Sequence, residues 1–439
     1  MVNRTPQPPT LPALLEALAA AVRAGDLAKA MQLEQAILQR LATAAADREA
    51  IERQVRDLMA SLEEPTTALP DEILDPFNVE RGGIERGGQY TYSGSDRAND
   101  YSRVPGSSPS STEGLVYPVW FGTNRKPAAT GQGFTGERHS HTTLGRVDVY
   151  VPEAHRFGEI GNDFWTKLRR FDLRDDRLRI QHLATQTSSE FYADLHQAMQ
   201  TAQDQGETHA LIFLHGFNVS FEEAAIRAAQ LGFDLKVPGA TAFFSWPSRG
   251  TVTAYPADEA SIEASEQAIT DFLVDFTARC GAEKVHIIAH SMGNRGLLRA
   301  LQRIEGNAQT RGQVKFDQIF LAAPDVDRDL FLDLARLYPP HVQRTTLYAS
   351  DADLPVHLSA RLHDAPRAGY FTPYTVAAGL DTVAVPDFDI DLLGHSYFAE
   401  AEALLHDLYD LMRHNQAPGQ RQRIKSALDG IQQFWRLVR

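Results

Sequence analysis

The sequence predicts an α/β protein: a mostly parallel sheet with helices on both faces, preceded by an N-terminal helical hairpin. Two observations carry this reading. From about residue 189, short unbroken apolar runs at 210–214, 240–245, 285–289, 316–322 and 342–349 alternate with amphipathic stretches at 191–202, 221–235, 259–280, 297–304 and 330–337. A strand apolar throughout is buried on both faces, and parallel neighbours need a crossover helix between them. Upstream, residues 11–64 are rich in Ala, Leu, Glu and Arg, and no proline interrupts them between Pro12 and Pro65.

Within 11–64, Leu33, Ile37, Leu41, Ile51, Val55 and Met59 recur at helical spacing and form one apolar face. Arg23-Ala-Gly25-Asp26 reads as a break, with Gly25 stopping a short first helix and Asp26 capping a long second one. Residues 1–64 are therefore expected as a hairpin, which cannot bury its own stripe. It serves either as an interaction module, for a protein partner or self-association through 11–64, or as a brace on the main domain; the stripe favours the first. Residues 65–114, with Gly82-Gly83, Gly87-Gly88 and Ser-Ser-Pro-Ser-Ser-Thr at 107–112, read as a flexible linker. Strands are expected at 116–121, 145–151 and 178–184, and a catalytic domain over 115–415. The tail, 416–439, places Ile424, Leu428, Ile431, Trp435 and Val438 on one face of an expected basic amphipathic helix. Such a helix either docks on the acidic body, the favoured reading, or makes weak membrane-surface contact through 419–439.

Bulk properties narrow the function. A net charge of −14 argues against nucleic acid as a partner. The single cysteine, Cys280, excludes an intramolecular disulfide framework and any multi-cysteine zinc site, and it reads as inert packing at a helix end. The amino terminus shows no secretory signal and no apolar run is long enough to span a bilayer, so a cytoplasmic location is expected.

The chemistry sits where strand 285–289 runs into Ala289-His-Ser291-Met-Gly293 and then a helix. This is G-x-S-x-G with alanine in the first glycine place. It is the pattern of a sharp strand-to-helix turn that exposes the serine hydroxyl and sets the Met292 N–H at a helix start, where it can hold an oxyanion. Earlier, strand 210–214 ends in His215-Gly216-Phe217-Asn218. In the α/β-hydrolase fold that loop supplies a second oxyanion donor, here the Phe217 N–H. A serine needs a base and the base needs an orienting acid, in chain order Ser, Asp, His. Asp353 follows strand 342–349, and His395, alone among 15 histidines, lies in a Gly-His-Ser loop before a closing helix. Asp325, after strand 316–322, is the alternative acid. His290 adjoins the nucleophile, with its side chain expected to point away from Ser291.

These stretches resemble one family, the DUF900 group of bacterial α/β-hydrolases. The resemblance rests on Phe121-Gly-Thr-Asn-Arg125, His215-Gly-Phe-Asn-Val-Ser-Phe-Glu222 and Ser245-Trp-Pro-Ser248. Ala289-His-Ser-Met-Gly293, Ala323-Pro-Asp-Val-Asp327, Leu347-Tyr-Ala-Ser350 and Gly394-His-Ser-Tyr397 complete it. It covers about 115–412 and implies an α/β-hydrolase fold and a triad, with the acid three residues after Tyr-x-Ser, at Asp353. It implies no particular substrate, and Leu354-Pro-Val356 departs from the family pattern.

Two weaker motifs are set aside. Gly131-Gln-Gly133-Phe-Thr-Gly136 spells a dinucleotide fingerprint but lacks the strand before and helix after it, and so reads as a loop. Arg138-His-Ser-His141 has no carboxylate or cysteine cluster nearby and reads as a solvated loop rather than a metal site. The expected function is a serine ester hydrolase acting on an acyl substrate, with no metal or organic cofactor. Thioesters, amides and peptides stay open, and the rival reading is an interaction protein using the fold as a scaffold.

Overall fold

The computed structural model describes residues 114–130, 133–152, 178–204, 206–249, 255–350, 359, 365–371, 373–385 and 398–438, with Leu14, Ala17, Lys29 and Leu33. The chain divides into two compact units, Met1–Thr112 and Glu113–Arg439. The four described residues of the first unit are helical. The rest of the expected hairpin, the expected linker, Asp353 and His395 lie outside the described residues.

The second unit opens with β1 (Gly114–Pro127), β2 (Phe134–Pro152) and β3 (Arg179–Gln186). Then come α1 (Ser188–Gln203), β4 (His209–Leu214), α2 (Phe221–Asp234), β5 (Gly239–Ser245), α3 (Tyr255–Ala264), α4 (Glu266–Arg279) and β6 (Lys284–His290). The chain continues through α5 (Gly293–Gly306), β7 (Phe316–Ala322), α6 (Arg328–Leu334), β8 (Val342–Ala349), β9 (Leu380–Ala384), α7 (Phe398–His414), β10 (Ile424–Asp429) and β11 (Gln432–Leu437). Among the described residues one sheet of 11 strands forms, in the order β10-β11-β9-β8-β7-β6-β4-β5-β1-β2-β3. Neighbours from β11 across to β1 all run parallel; β2, β3 and β10 pair antiparallel at the two ends.

Both faces are covered, which is why the central strands are apolar throughout. Ala210, Ile212 and Leu214 of β4 pack with α1, α4 and α5, whereas Leu211 and Phe213 pack with α2 and α7. Each fully buried Leu, Ile or Phe contributes about 1.5–3 kcal/mol of transfer free energy. Local signals agree with the helices: Thr187 and Glu190 form a capping box on α1, and Ser220 and Glu223 form one on α2. The start of α5 has no side-chain cap.

Two expectations are corrected. The C-terminal segment is a β-hairpin, not a helix. Gly430-Ile431, with Gly430 at φ 57°, makes the two-residue turn between β10 and β11, closed by the pair Asp429–Gln432, and Trp435 and Arg436 of β11 pair with Val383 and Ala384 of β9. Ile424, Phe434 and Leu437 are buried from strand positions. The spacing 424, 428, 431, 435 therefore reflects two strands folded back on each other, and the signal for it is Gly430 at the first position of a two-residue turn. The second correction concerns β2, which begins at Phe134, so Gly136, the half-buried His139 and the exposed His141 belong to a long strand rather than a loop.

Candidate active site

Because the central strands are parallel, their carboxyl ends share one edge, the usual location of a ligand in an open α/β sheet. Leu214 pairs with Ala289, His290 with Ala322, and Ala349 with Ala384. The loops that follow β4, β6, β7, β8 and β9 therefore leave side by side. Asp353 follows β8 and His395 follows β9 in the chain.

Ser291 takes φ 48°, in the left-handed region that a serine enters only under constraint. Several contacts impose it. The Ser291 N–H donates to Ala322 O at 2.9 Å, and Ser291 O accepts from the N–H groups of Asn294 at 3.1 Å and Asp325 at 3.2 Å. The Asn294 side-chain amide donates to Ala289 O and Ser291 O at 3.0 Å each. At Gly293 a Cβ would lie 2.6 Å from the carbonyl oxygens of Leu214 and His215, so only glycine lets α5 start this close to β4. Met292 stands at that start, and its N–H has no acceptor among the described residues.

The loop after β4 lies against the same serine. A Cβ on Gly216 would stand 2.9 Å from Ser291 Cβ and 2.9 Å from His290 Nδ1. The Phe217 N–H likewise has no acceptor among the described residues. His215 is fully buried: its Nδ1 faces Gly216 O at 2.9 Å, its Nε2 faces Ser245 Oγ at 3.3 Å, and its ring stacks on Trp246. Burial, reinforced by the Arg125 cation, holds it well below the ordinary histidine range, so it is neutral.

Behind this loop lies a polar frame in which the sequence alone assigned no roles. Arg125, buried at the end of β1, donates from Nε to Ser245 Oγ at 2.8 Å, from one terminal nitrogen to Ser248 O at 2.9 Å and from the other to Val219 O at 2.7 Å. Burial lowers its pKa to about 10, opposed by the charges of Glu222, Asp258 and Glu223. Asp258 accepts from Ser248 Oγ at 2.5 Å, Arg249 N–H at 2.8 Å and Asn218 N–H at 3.4 Å, and burial raises its pKa. Together they tie the 215–220 loop to β1, β5 and α3. Only the motifs Phe121-Gly-Thr-Asn-Arg125 and Ser245-Trp-Pro-Ser248 signalled this frame.

Asp325 is buried, and both its oxygens are engaged. Tyr255 and Ser359 each donate a hydroxyl to it at 2.5 Å, and the Arg295 and Arg367 guanidiniums lie 3.6 and 3.5 Å away. Tyr255 also packs edge-on against Phe217, with ring centroids 5.1 Å apart. Among the described residues no three His, Cys, Asp or Glu side chains cluster as metal ligands.

Residues 189–413 match the family described as "Alpha/beta hydrolase of unknown function (DUF900)". No curated protein matches the chain. Solved structures that match include an uncharacterized protein from Bacillus cereus, at 13% identity over 48% of this chain and 61% of that one, TM-score 0.31. Another is phospholipase PlaB from Legionella pneumophila, at 12% identity over 53% and 68% of the two chains, TM-score 0.31. A fungal esterase from Rhizomucor miehei matches at 10% identity over 69% and 85%, TM-score 0.30. The chain spans 61% of the length of the Bacillus cereus protein.

Proposed function

Since the chain belongs to the DUF900 family of α/β-hydrolases, we propose that it is a serine hydrolase acting on a carboxylic ester or related acyl substrate through an acyl-enzyme. The observation that carries this reading is Ser291 itself, held at φ 48° between β6 and an uncapped helix start, with Gly216 against its Cβ. Such a conformation costs of order 1–2 kcal/mol, and Ser291 stands directly after β6 at the sheet's carboxyl edge.

In this reading Ser291 Oγ attacks the acyl carbon while His395 takes its proton and Asp353 orients the imidazole. The N–H groups of Met292 and Phe217 donate to the oxyanion. Collapse expels the leaving group, which takes the proton from His395, and water then releases the acyl group by the same steps. Asp353 is preferred over Asp325 because both Asp325 oxygens already accept hydroxyl hydrogens.

The test uses a fluorophosphonate, which phosphonylates only an activated serine. Wild type is expected to label on the peptide bearing Ser291, and Ser291→Ala and His395→Ala to abolish labelling with unchanged melting temperature. Asp353→Asn should slow labelling by up to about 10⁴-fold, because the amide holds the wrong tautomer. Folded wild type that fails to label overturns the hydrolase reading and leaves the scaffold. A large loss from Asp325→Asn with none from Asp353→Asn moves the acid to the earlier strand.

A further inference from the structure

Asp325 joins two parts of the proposed site that leave different strands. Ala323, directly after β7, takes φ 42°, a conformation that an alanine enters only under constraint, and the chain turns there so that Asp325 meets the elbow. The Asp325 N–H donates to Ser291 O at 3.2 Å. Its carboxylate accepts the Tyr255 hydroxyl at 2.5 Å, and the Tyr255 ring packs edge-on against Phe217 in the loop after β4. Three contacts in series therefore link the Ser291 carbonyl to the Phe217 side chain. Ser291, Asp325 and Tyr255 are buried and Phe217 is half-buried.

The surroundings hold this series in one arrangement. Arg295, in the first turn of α5, donates through Nε to the Asp325 carbonyl at 2.6 Å and through one terminal nitrogen to Tyr255 Oη at 3.0 Å. Its other terminal nitrogen pairs with Glu259 of α3. Ser359 donates to the second Asp325 oxygen at 2.5 Å and accepts from Arg367 Nε at 3.0 Å. Two carboxylates, Asp325 and Glu259, thus face two guanidiniums, Arg295 and Arg367. Burial and the Asp325 charge raise the Tyr255 pKa, so the hydroxyl keeps its proton and remains a donor. Helix α3 is the intermediary: its Asp258 accepts the Asn218 N–H at 3.4 Å and its Tyr255 packs on Phe217, so it grips the loop after β4 at two adjoining residues.

We propose that Asp325 is a positioning residue of the active site: by holding Tyr255, and with it α3, to the elbow, it sets the Phe217 loop in fixed register with Ser291. The inference rests on the serine-hydrolase reading, in which the N–H groups of Phe217 and Met292 must meet one oxyanion. Those two donors leave different strands, so their separation has to be fixed by something that spans both. Arg125 and Asp258 tie the loop to β1, β5 and α3, but none of their hydrogen bonds among the described residues reaches the elbow. The bond from Tyr255 to Asp325 supplies that link. The same arrangement explains why the second acidic residue of the region is spent: both its oxygens hold hydroxyl groups that brace the site.

The experiment is saturation kinetics of fluorophosphonate labelling on the full chain, measured across pH, for Tyr255→Phe, Asp325→Asn and the two together. A donor that acts only in the transition state lowers the maximal labelling rate when it is displaced and leaves the half-saturating concentration unchanged. Misplacement on the scale of 1 Å costs about 10²-fold, so each single variant is expected to label roughly 10- to 10²-fold more slowly at saturation. The pH midpoint of labelling should stay at the wild-type value, because the base and its acid are untouched. The double variant should label no more slowly than the slower single variant, since both changes break one link. Losses that multiply, or a wild-type maximal rate in Tyr255→Phe, overturn the proposal. A moved pH midpoint in Asp325→Asn makes Asp325 the partner of the base and overturns it too. If Asp325→Asn does not fold, Tyr255→Phe, which removes one oxygen and keeps the ring, decides by its maximal rate and its pH midpoint. Folded wild type that does not label defeats the serine-hydrolase reading and this inference with it, whereas labelling wild type with an unaffected Tyr255→Phe defeats the inference alone.

Discussion

Gly216→Ala probes how closely the loop after β4 is fitted to the nucleophile. The added methyl would sit 2.9 Å from Ser291 Cβ, 2.9 Å from His290 Nδ1 and 3.2 Å from His290 O, where ordinary contact begins near 3.4 Å. The neighbours on one side are the backbone and Cβ of an elbow already fixed by bonds to Ala322, Asn294 and Asp325, so the loop must retreat by about half an ångström or more. That retreat carries the Phe217 N–H with it. Misplacement on the scale of 1 Å costs about 10²-fold, and outright loss of an oxyanion donor about 10²–10³-fold. A fall of roughly 10- to 10²-fold in the second-order rate of fluorophosphonate labelling is expected. Overpacking should also cost about 1–3 kcal/mol, read as a melting temperature lower by a few degrees. Gly306→Ala is the control: nothing lies within 4 Å of its added Cβ, so labelling should be unchanged and stability equal or slightly higher. If Gly216→Ala labels as fast as wild type, the 215–217 loop supplies no oxyanion donor and the second half of the proposed hole lies elsewhere.

Ser291→Gly should raise the melting temperature while abolishing labelling, because glycine adopts φ 48° without the roughly 1 kcal/mol strain of a side chain; no rise would mean the elbow is unstrained. Arg125→Lys should lower both stability and labelling rate nearly as far as Arg125→Met, since a single ammonium cannot serve Ser245, Ser248 and Val219 together; full function of the lysine variant would refute the bracing role. Acid should weaken the fold through His209 and His286, whose rings meet at 3.1 Å at the amino ends of β4 and β6. Burial lowers His209 to about 4 and His286 well below its ordinary value, so their neutral forms are favoured in the fold. Their contribution is complete above about pH 6.5 and is lost as pH falls from there toward 4, by at most about 1.4 kcal/mol per pH unit for each ring. Urea midpoints at pH 7 and pH 5 should differ less in His209→Gln than in wild type, and an equal difference would exclude this pair.

How much was legible follows from the range of each interaction. β4, β6, β7 and β8 could be read because strands buried on both faces leave an unbroken apolar run. The elbow was legible because its needs are local: a small residue before the serine, a glycine after it, a strand and then a helix. The hairpin at the carboxyl end was misread because apolar residues recurring at three and four positions fit a helix equally well. Only Gly430, which opens the two-residue turn, separates the two. Arg125, Asp258, Asn294 and Tyr255 could not be given roles from sequence, since a buried polar side chain is explained by its partner. Those partners are far away in the chain: Val219 for Arg125, Asn218 for Asp258, Ala322 for Asn294, Asp325 for Tyr255. No period or motif spacing encodes such pairings.

The proposed oxyanion site falls where two backbone N–H groups have no acceptor among the described residues. Around Ser291 the backbone groups that turn inward are all committed: its N–H to Ala322, its carbonyl to Asn294 and Asp325, the Ala289 carbonyl to the Asn294 amide. An unsatisfied buried N–H costs about 1–3 kcal/mol, so a fold tolerates one only where something else holds the backbone in place. The N–H groups of Met292 and Phe217 come from two different strands, and each belongs to a segment fixed by other bonds, Met292 by the elbow and Phe217 by the frame of Arg125 and Asp258. Two donors on rigid supports, without an acceptor among the described residues, can stabilise charge that develops during reaction, because no reorganisation is then required. A scaffold protein would gain stability by closing either donor or by relaxing Ser291, and neither occurs among the described residues.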